Sequence, residues 1–172
     1  MKDIIGKSIN LRDVLVSDAG FILSLRLNKE LNKYISSTSP DIKNQEIWIK
    51  QYHENPNLQY YYIIENKEGE SFGTVRVYDF QKDSFCWGSW LIKKGAPLSF
   101  AIESALMVYE FAFNTLGFNR AHLDMRKENL KVVEFHKNFG AKYVSEDELN
   151  YYFELRKEDY VFAKNKFPFN KF

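Results

Sequence analysis

The chain has 172 residues, a length that fits one domain. It is 45% hydrophobic and 17% aromatic, ample for a packed core and inconsistent with disorder. The formal net charge is +1 with acids and bases interspersed, so nothing in the charge points to a nucleic-acid partner.

The first fifteen residues carry Lys2, Asp3, Lys7, Arg12 and Asp13, unlike a signal peptide or an anchor. No apolar run reaches the roughly 20 residues that span a bilayer. A cytoplasmic protein without a membrane partner is expected. Ile9 to Asp13 reads as a short strand. Asp18 is placed to cap a helix running through Leu31, with Phe21, Ile22, Leu25 and Leu27 on its buried side. Ser36 to Pro40 is a polar loop. A second helix spans about Gln45 to Glu54, and Asn55-Pro56-Asn57 ends it.

Three strands follow: Tyr60 to Glu65, Ser71 to Phe80 and Phe85 to Ile92, rich in aromatic and β-branched residues. Their short polar connectors predict an antiparallel meander. The period then changes. Ile102, Ala105, Leu106, Tyr109, Ala112, Phe113 and Leu116 recur at helical spacing from Ser99, and Gly117 stops that helix. A strand covers Arg120 to Arg126. Val132, Phe135, His136 and Phe139 mark another helix, closed by Gly140. Tyr143-Val144 and Asn150 to Arg156 read as strands, and a polar-aromatic tail runs to Phe172. This order predicts an α/β chain with an α+β mixed sheet, a meander followed by a β-α-β-α unit. A helix of that length between Ile92 and Arg120 suits parallel strands.

Cys86 is the only cysteine, so a disulfide within the chain and a cysteine-rich zinc site are excluded, and no metal is expected. Its aromatic neighbours and lack of an evident base favour a packing role over a covalent one.

Two segments can carry chemistry. In Lys93-Lys94-Gly95-Ala96-Pro97-Leu98 a strand end meets a helix near Ser99. Free N–H groups in a first helical turn suit a phosphate, and Lys93 and Lys94 can add charge; the alternative is an ordinary turn with Ser99 as N-cap. In the second segment Asn129 is a natural N-cap, and His136 shares the apolar stripe of its helix. His136 is either a core residue with a partner or a proton donor whose pKa sits near neutral.

Pro97-Leu98-Ser99-Phe100-Ala101-Ile102-Glu103-Ser104-Ala105-Leu106 resembles the pyrophosphate loop and helix of GNAT-superfamily N-acetyltransferases, nearest the branch of ribosomal-protein alanine acetyltransferases. Asn129, with Gly140 eleven residues later, fits that family's spacing, and the resemblance covers about Ile9 to Phe167. The usual glutamine or arginine and the first glycine of the loop are missing, and Val132 stands where a serine is common.

The resemblance implies a single domain over 1–172, core about 9–167, with a sheet splayed for acetyl-CoA between Ser89 to Ile92 and Arg120 to Arg126. Backbone groups of Trp90, Leu91 and Ile92 would pair with the pantetheine arm and polarise the thioester carbonyl. Ala96, Pro97, Leu98, Ser99, Phe100 and Ala101 would hold the pyrophosphate, and Asn129 would touch the pantetheine or place the next helix. His136 stands seven residues after that asparagine, where many relatives carry the tyrosine that protonates the departing thiolate. Glu65, Asp79 and Asp83 are candidate bases, each also readable as a solvated carboxylate.

The acceptor would be held by Arg26, Asn28, Asn32, Tyr34, Trp48, Tyr52, Arg76 and Tyr78. Arg26-Leu27-Asn28, the polar loop and Trp48 resemble GNAT enzymes that acetylate nucleotide-linked amino sugars for bacterial surface glycans: arginine grips a diphosphate and an aromatic stacks on a ring. Trp48 and Tyr52, at i and i+4, can instead pack on the sheet. The rival readings are protein N-terminal acetylation and a non-catalytic CoA-binding module. The chain is expected to act as a monomer or homodimer, with Phe167, Phe169 and Phe172 as a surface for self-association.

Overall fold

Alternating apolar residues build a two-faced sheet. The computed structural model describes residues 3–166; Phe167, Phe169 and Phe172 lie outside them. The described elements are β1 (Ile4–Ile5), β2 (Ile9–Asp13), α1 (Ala19–Arg26), α2 (Ile42–Glu54), β3 (Tyr60–Asn66), β4 (Ser71–Tyr78), β5 (Ser84–Ile92), α3 (Leu98–Glu110), β6 (Arg120–Arg126), α4 (Leu130–Asn138), β7 (Lys142–Glu146), β8 (Asn150–Arg156) and α5 (Lys157–Lys164). The strands form one eight-stranded sheet in the order β1-β2-β3-β4-β5-β6-β8-β7. The β3-β4-β5 meander is antiparallel and β5 pairs with β6 in parallel, as the sequence predicts. The mixed sheet is therefore the expected one, and α3 is its crossover.

Because side chains alternate along a strand, each face has its own core. Tyr62, Ile64, Val75, Val77 and Phe85 pack with Leu106, Tyr109 and Phe113 of the α3 segment and with Val133 and Phe139 of the α4 segment. On the opposite face Tyr61 and Ile63 pack with Ala19, Ile22, Ile49 and Tyr52 of α1 and α2. Glu103, fully buried on α3, accepts the Ser8 amide at 2.8 Å and ties the crossover helix to β2. Among the described residues no helix is long and apolar enough to cross a membrane, and no cluster of three metal-ligating side chains occurs.

Several boundaries differ from expectation. The first helix ends at Arg26, not Leu31, and Asn28 takes the chain into turns by accepting the amides of Leu31 and Asn32. Asp18 does not cap α1. Its carboxylate takes the Leu15 amide at 2.7 Å and pairs with Arg12, holding a short 3₁₀ turn before the helix. The second helix begins earlier, at Ile42, because Asp41 caps it through the Lys43 amide. Helix α3 begins at Leu98 behind Pro97, so Ser99 is inside it and is no N-cap. Its last turn, Phe111–Thr115, widens to π geometry. The short strand β1 and helix α5 lack a strong periodic signal and emerge only in the folded chain.

Candidate active site

Strands β5 and β6 pair only at Ser84 with Arg120 and Phe85 with Ala121. Beyond that point they splay, leaving a cleft of about 440 Å³ between residues 87–91 and 123–126. A bulge deepens the irregularity. Thr74 faces Leu91 but Arg76 faces Gly88, so β5 carries one extra residue there. Ser89 takes it up in the left-handed region, φ 46°, and its carbonyl accepts the Thr74 hydroxyl at 2.8 Å. A bulge re-aims backbone groups that the ladder would otherwise occupy.

Trp90 and Leu91 line this cleft, with Asn129 and His136 across from them. Ile92 lies one residue beyond the lining and pairs with Gly73. Asn129 occupies the N-cap position of α4, yet its side chain makes no capping bond. Trp90 sends its indole N–H to Ser104 at 3.1 Å and its ring onto Phe135, so its side chain is fixed from behind.

The turn before α3 holds Gly95 in the left-handed region, φ 89°, with open space around it. Phe100 packs edge-on against Phe72 and anchors the helix start, leaving Ala96 half-buried and Leu98 exposed. Ser99 and Ala101 are half-buried in the first turn. Of the two lysines expected to add charge, Lys93 is turned away, bonded to Glu70 at 2.7 Å over the Phe72 ring. Lys94 is exposed and pairs loosely with Glu30 at 3.8 Å.

His136 is buried against Trp87 and Phe135, and its Nδ1 lies 3.2 Å from the Tyr109 hydroxyl. Burial pushes its pKa down to about 3, well below the near-neutral value of the proton-donor alternative. At neutral pH the ring is uncharged. Were Nδ1 the donor, the Tyr109 hydroxyl proton would be left without an acceptor in the core. With Tyr109 donating, the ring proton sits on Nε2.

A second cavity of about 290 Å³ adjoins the cleft, sharing Ser36, Arg76 and Ser89 with it. Arg26 reaches it from the end of α1 and holds the polar loop, donating to Thr38 at 2.5 Å and to Ser36. Arg76 of β4 has its guanidinium against the rings of Trp48 and Tyr78, at 5.4 and 4.8 Å, and donates to Gln59. Burial lowers its pKa. The lining has two guanidiniums and several hydroxyls, with no carboxylate among the described residues. The loop also spans the cleft mouth, since Tyr34 donates its hydroxyl to the carbonyl of Glu128 on the far side.

Three acceptor expectations do not fit this geometry, and Asn32 is one of them, lining neither cavity. Tyr52 faces the core, 2% exposed, donating to Asp13 at 2.5 Å and accepting the Tyr61 amide at 3.1 Å. Asn28 lines neither cavity; its side chain takes the Glu30 amide in the turn after α1. Of the candidate bases, Glu65 is paired with Arg12, Asp83 with Arg120 and Asp79 with His122, and none lines the cleft. The carboxylate that does is Asp124, which sequence reasoning passed over. Its signal was the alternation in β6, where Leu123 and Met125 turn to the core and Asp124 turns the other way. Cys86 is buried, and burial pushes its thiol up to about 12, which suits packing.

Residues 8–142 match the family model of the acetyltransferase (GNAT) domain. Among solved structures the chain is similar to apo FdhC, a nucleotide-linked sugar GNAT, at 42% identity over 96% of each chain with a TM-score of 0.86. It shares its fold with spermidine N-acetyltransferase from Vibrio cholerae in complex with CoA and spermine, at 17% identity, 90% of this chain, 98% of that one and a TM-score of 0.80. A dodecameric form of the same Vibrio cholerae enzyme matches at 16% identity over 90% and 96%, with a TM-score of 0.74. No curated protein matches the chain.

Proposed function

The chain belongs to the GNAT acetyltransferase family, and from that membership we propose that it moves an acetyl group from acetyl-CoA to the primary amine of a sugar carried on a nucleotide. The observation that carries the acceptor reading is the cavity beside the cleft, with Arg26 and Arg76 in its wall and no carboxylate among its described lining residues. Guanidiniums suit a diphosphate, and the half-buried Trp48 ring offers a stacking face. A polyamine would ask for the opposite charge. The likeness to a nucleotide-linked sugar GNAT supports the same reading.

The donor reading rests on the splayed strands. Acetyl-CoA supplies the thioester. Backbone groups of Trp90, Leu91 and Ile92 would orient its pantetheine arm, because β5 there has no partner on the β6 side. Residues Ala96, Pro97, Leu98, Ser99, Phe100 and Ala101 would receive the pyrophosphate at the start of α3, where the Leu98 and Ser99 N–H groups precede the first helical bond and the Phe100 amide is held by the Pro97 carbonyl. The Asn129 side chain, free of capping duty, would contact the arm. The Nε2–H of His136, a neutral imidazole, would hydrogen-bond the departing sulfur as it gains charge, while the sulfur's proton comes from the attacking nitrogen. With a pKa of about 3 the ring is not a store of imidazolium.

The test is thiol release from acetyl-CoA with uridine- and thymidine-diphosphate-linked amino sugars, short peptides and polyamines as acceptors. Fast release with an amino sugar, and little with the others, is the expected result. Turnover confined to peptides or polyamines would overturn the acceptor reading.

A further inference from the structure

We propose that Asp124 is the catalytic base that receives the proton of the acceptor's amine; this rests on the acceptor reading above. Among the described residues lining the cleft, Asp124 is the carboxylate. It lies on the β6 wall, on the sheet face that also carries Cys86, and its Oδ1 accepts the Cys86 thiol at 3.5 Å. That contact fixes the carboxylate without neutralising it. The groups around it are the Tyr78 hydroxyl on β4, Cys86 on β5, His122 and Arg126 on its own strand, and Tyr152 opposite on β8. Arg76 and His136 line the same cleft.

The cleft and its side cavity are thus polar along their length. Arg26 and Arg76 line the side cavity, Arg76 and Arg126 line the cleft, and Asp124 is the carboxylate on the β6 wall. An acceptor that carries a diphosphate and an ammonium has charges complementary to these. An amine of ordinary basicity arrives as R–NH₃⁺ and is no nucleophile in that form. Asp124 takes one proton from it and releases it to solvent. The free amine then forms the C–N bond at the acetyl carbonyl while the C–S bond breaks. The second proton, shed by nitrogen in that step, ends on the departing CoA sulfur. The products are the N-acetyl sugar, CoA–SH and one proton, so the step balances.

The experiment compares wild type with Asp124→Asn and Asp124→Glu, using a nucleotide-linked amino sugar and its hydroxyl counterpart. The Asn variant is expected to lose about 10²–10⁴-fold in kcat/KM near neutral pH. That deficit should shrink as the pH rises through the amine's own pKa, where no base is needed. The Glu variant should recover part of the rate. In equilibrium binding, wild type should prefer the amino sugar over the hydroxyl sugar, and Asp124→Asn should lose the preference. Acetyl-CoA should raise the melting temperature of all three alike, which shows that the variants are folded. An Asn variant within threefold of wild type, or a deficit that is the same at every pH, overturns the role of Asp124 while leaving the acceptor class standing. Wild type that binds neither sugar overturns both.

Discussion

The Tyr109 hydroxyl lies 3.2 Å from Nδ1 of His136, with both side chains buried between α3, α4 and β5. This contact decides which nitrogen of the ring carries the proton. It makes Tyr109 a positioning residue: it holds the ring from the core side, so that the remaining donor belongs to a residue lining the cleft.

Replacing Tyr109 with Phe removes that constraint. The expected outcome is a fall of about tenfold in kcat with the KM for acetyl-CoA unchanged, together with a loss of about 1–3 kcal/mol of stability for the unpaired ring nitrogen. Steady-state kinetics and urea denaturation read the two effects separately. A purely structural contact would lower stability and leave kcat alone.

The buried neutral state of His136 has a consequence for pH. Its folded pKa, about 3, lies below the ordinary value of 6.5. Between those values the unfolded chain binds a proton that the folded chain refuses. The stability from keeping the ring neutral is present above pH 6.5 and is lost progressively as the pH falls toward 3. Thermal melts from pH 7.5 to 4.5 should therefore fall more steeply for wild type than for His136→Phe. The kcat profile should show no limb from this ring between pH 5 and 8.

Arg76 is held by two aromatic rings and Gln59, and the described residues lining its cavity include no carboxylate. Arg76→Gln should raise the KM for the nucleotide-linked sugar by at least about tenfold, in line with ~1.5–3 kcal/mol for a charge-assisted hydrogen bond. The KM for acetyl-CoA should not move. Equal changes in both constants would point to a distorted β4 instead.

Tyr52 provides the contrasting case. Its hydroxyl bonds Asp13 and the Tyr61 amide beneath the acceptor cavity. Tyr52→Phe should cost about 1–3 kcal/mol of stability, because buried polar partners lose their bond. The acceptor KM should stay within twofold of wild type. Chemical denaturation and a KM titration separate the two.

Much of the architecture was legible in the order of the residues. The switch from period two in the meander to helical spacing after Ile102 follows from local geometry, since a strand alternates and a helix returns every 3.6 residues. The crossover length between β5 and β6 then implied a parallel pair, while Asn129 and His136 were singled out through the family resemblance and line the cleft. What tertiary structure alone decided was the surroundings of each side chain. Sequence spacing put Trp48 and Tyr52 on one helical face, but only packing shows that Trp48 meets Arg76 at the cavity while Tyr52 is sealed against Asp13. The ring of His136 is neutral because Trp87, Tyr109 and Phe135 exclude water from it, and those contacts come from strands and helices far apart in the chain. Asp124 gained its place because β5 and β6 part after two residue pairs. A periodic pattern fixes which way a residue points within its own element; charge, pKa and pocket depend on what the rest of the fold brings against it.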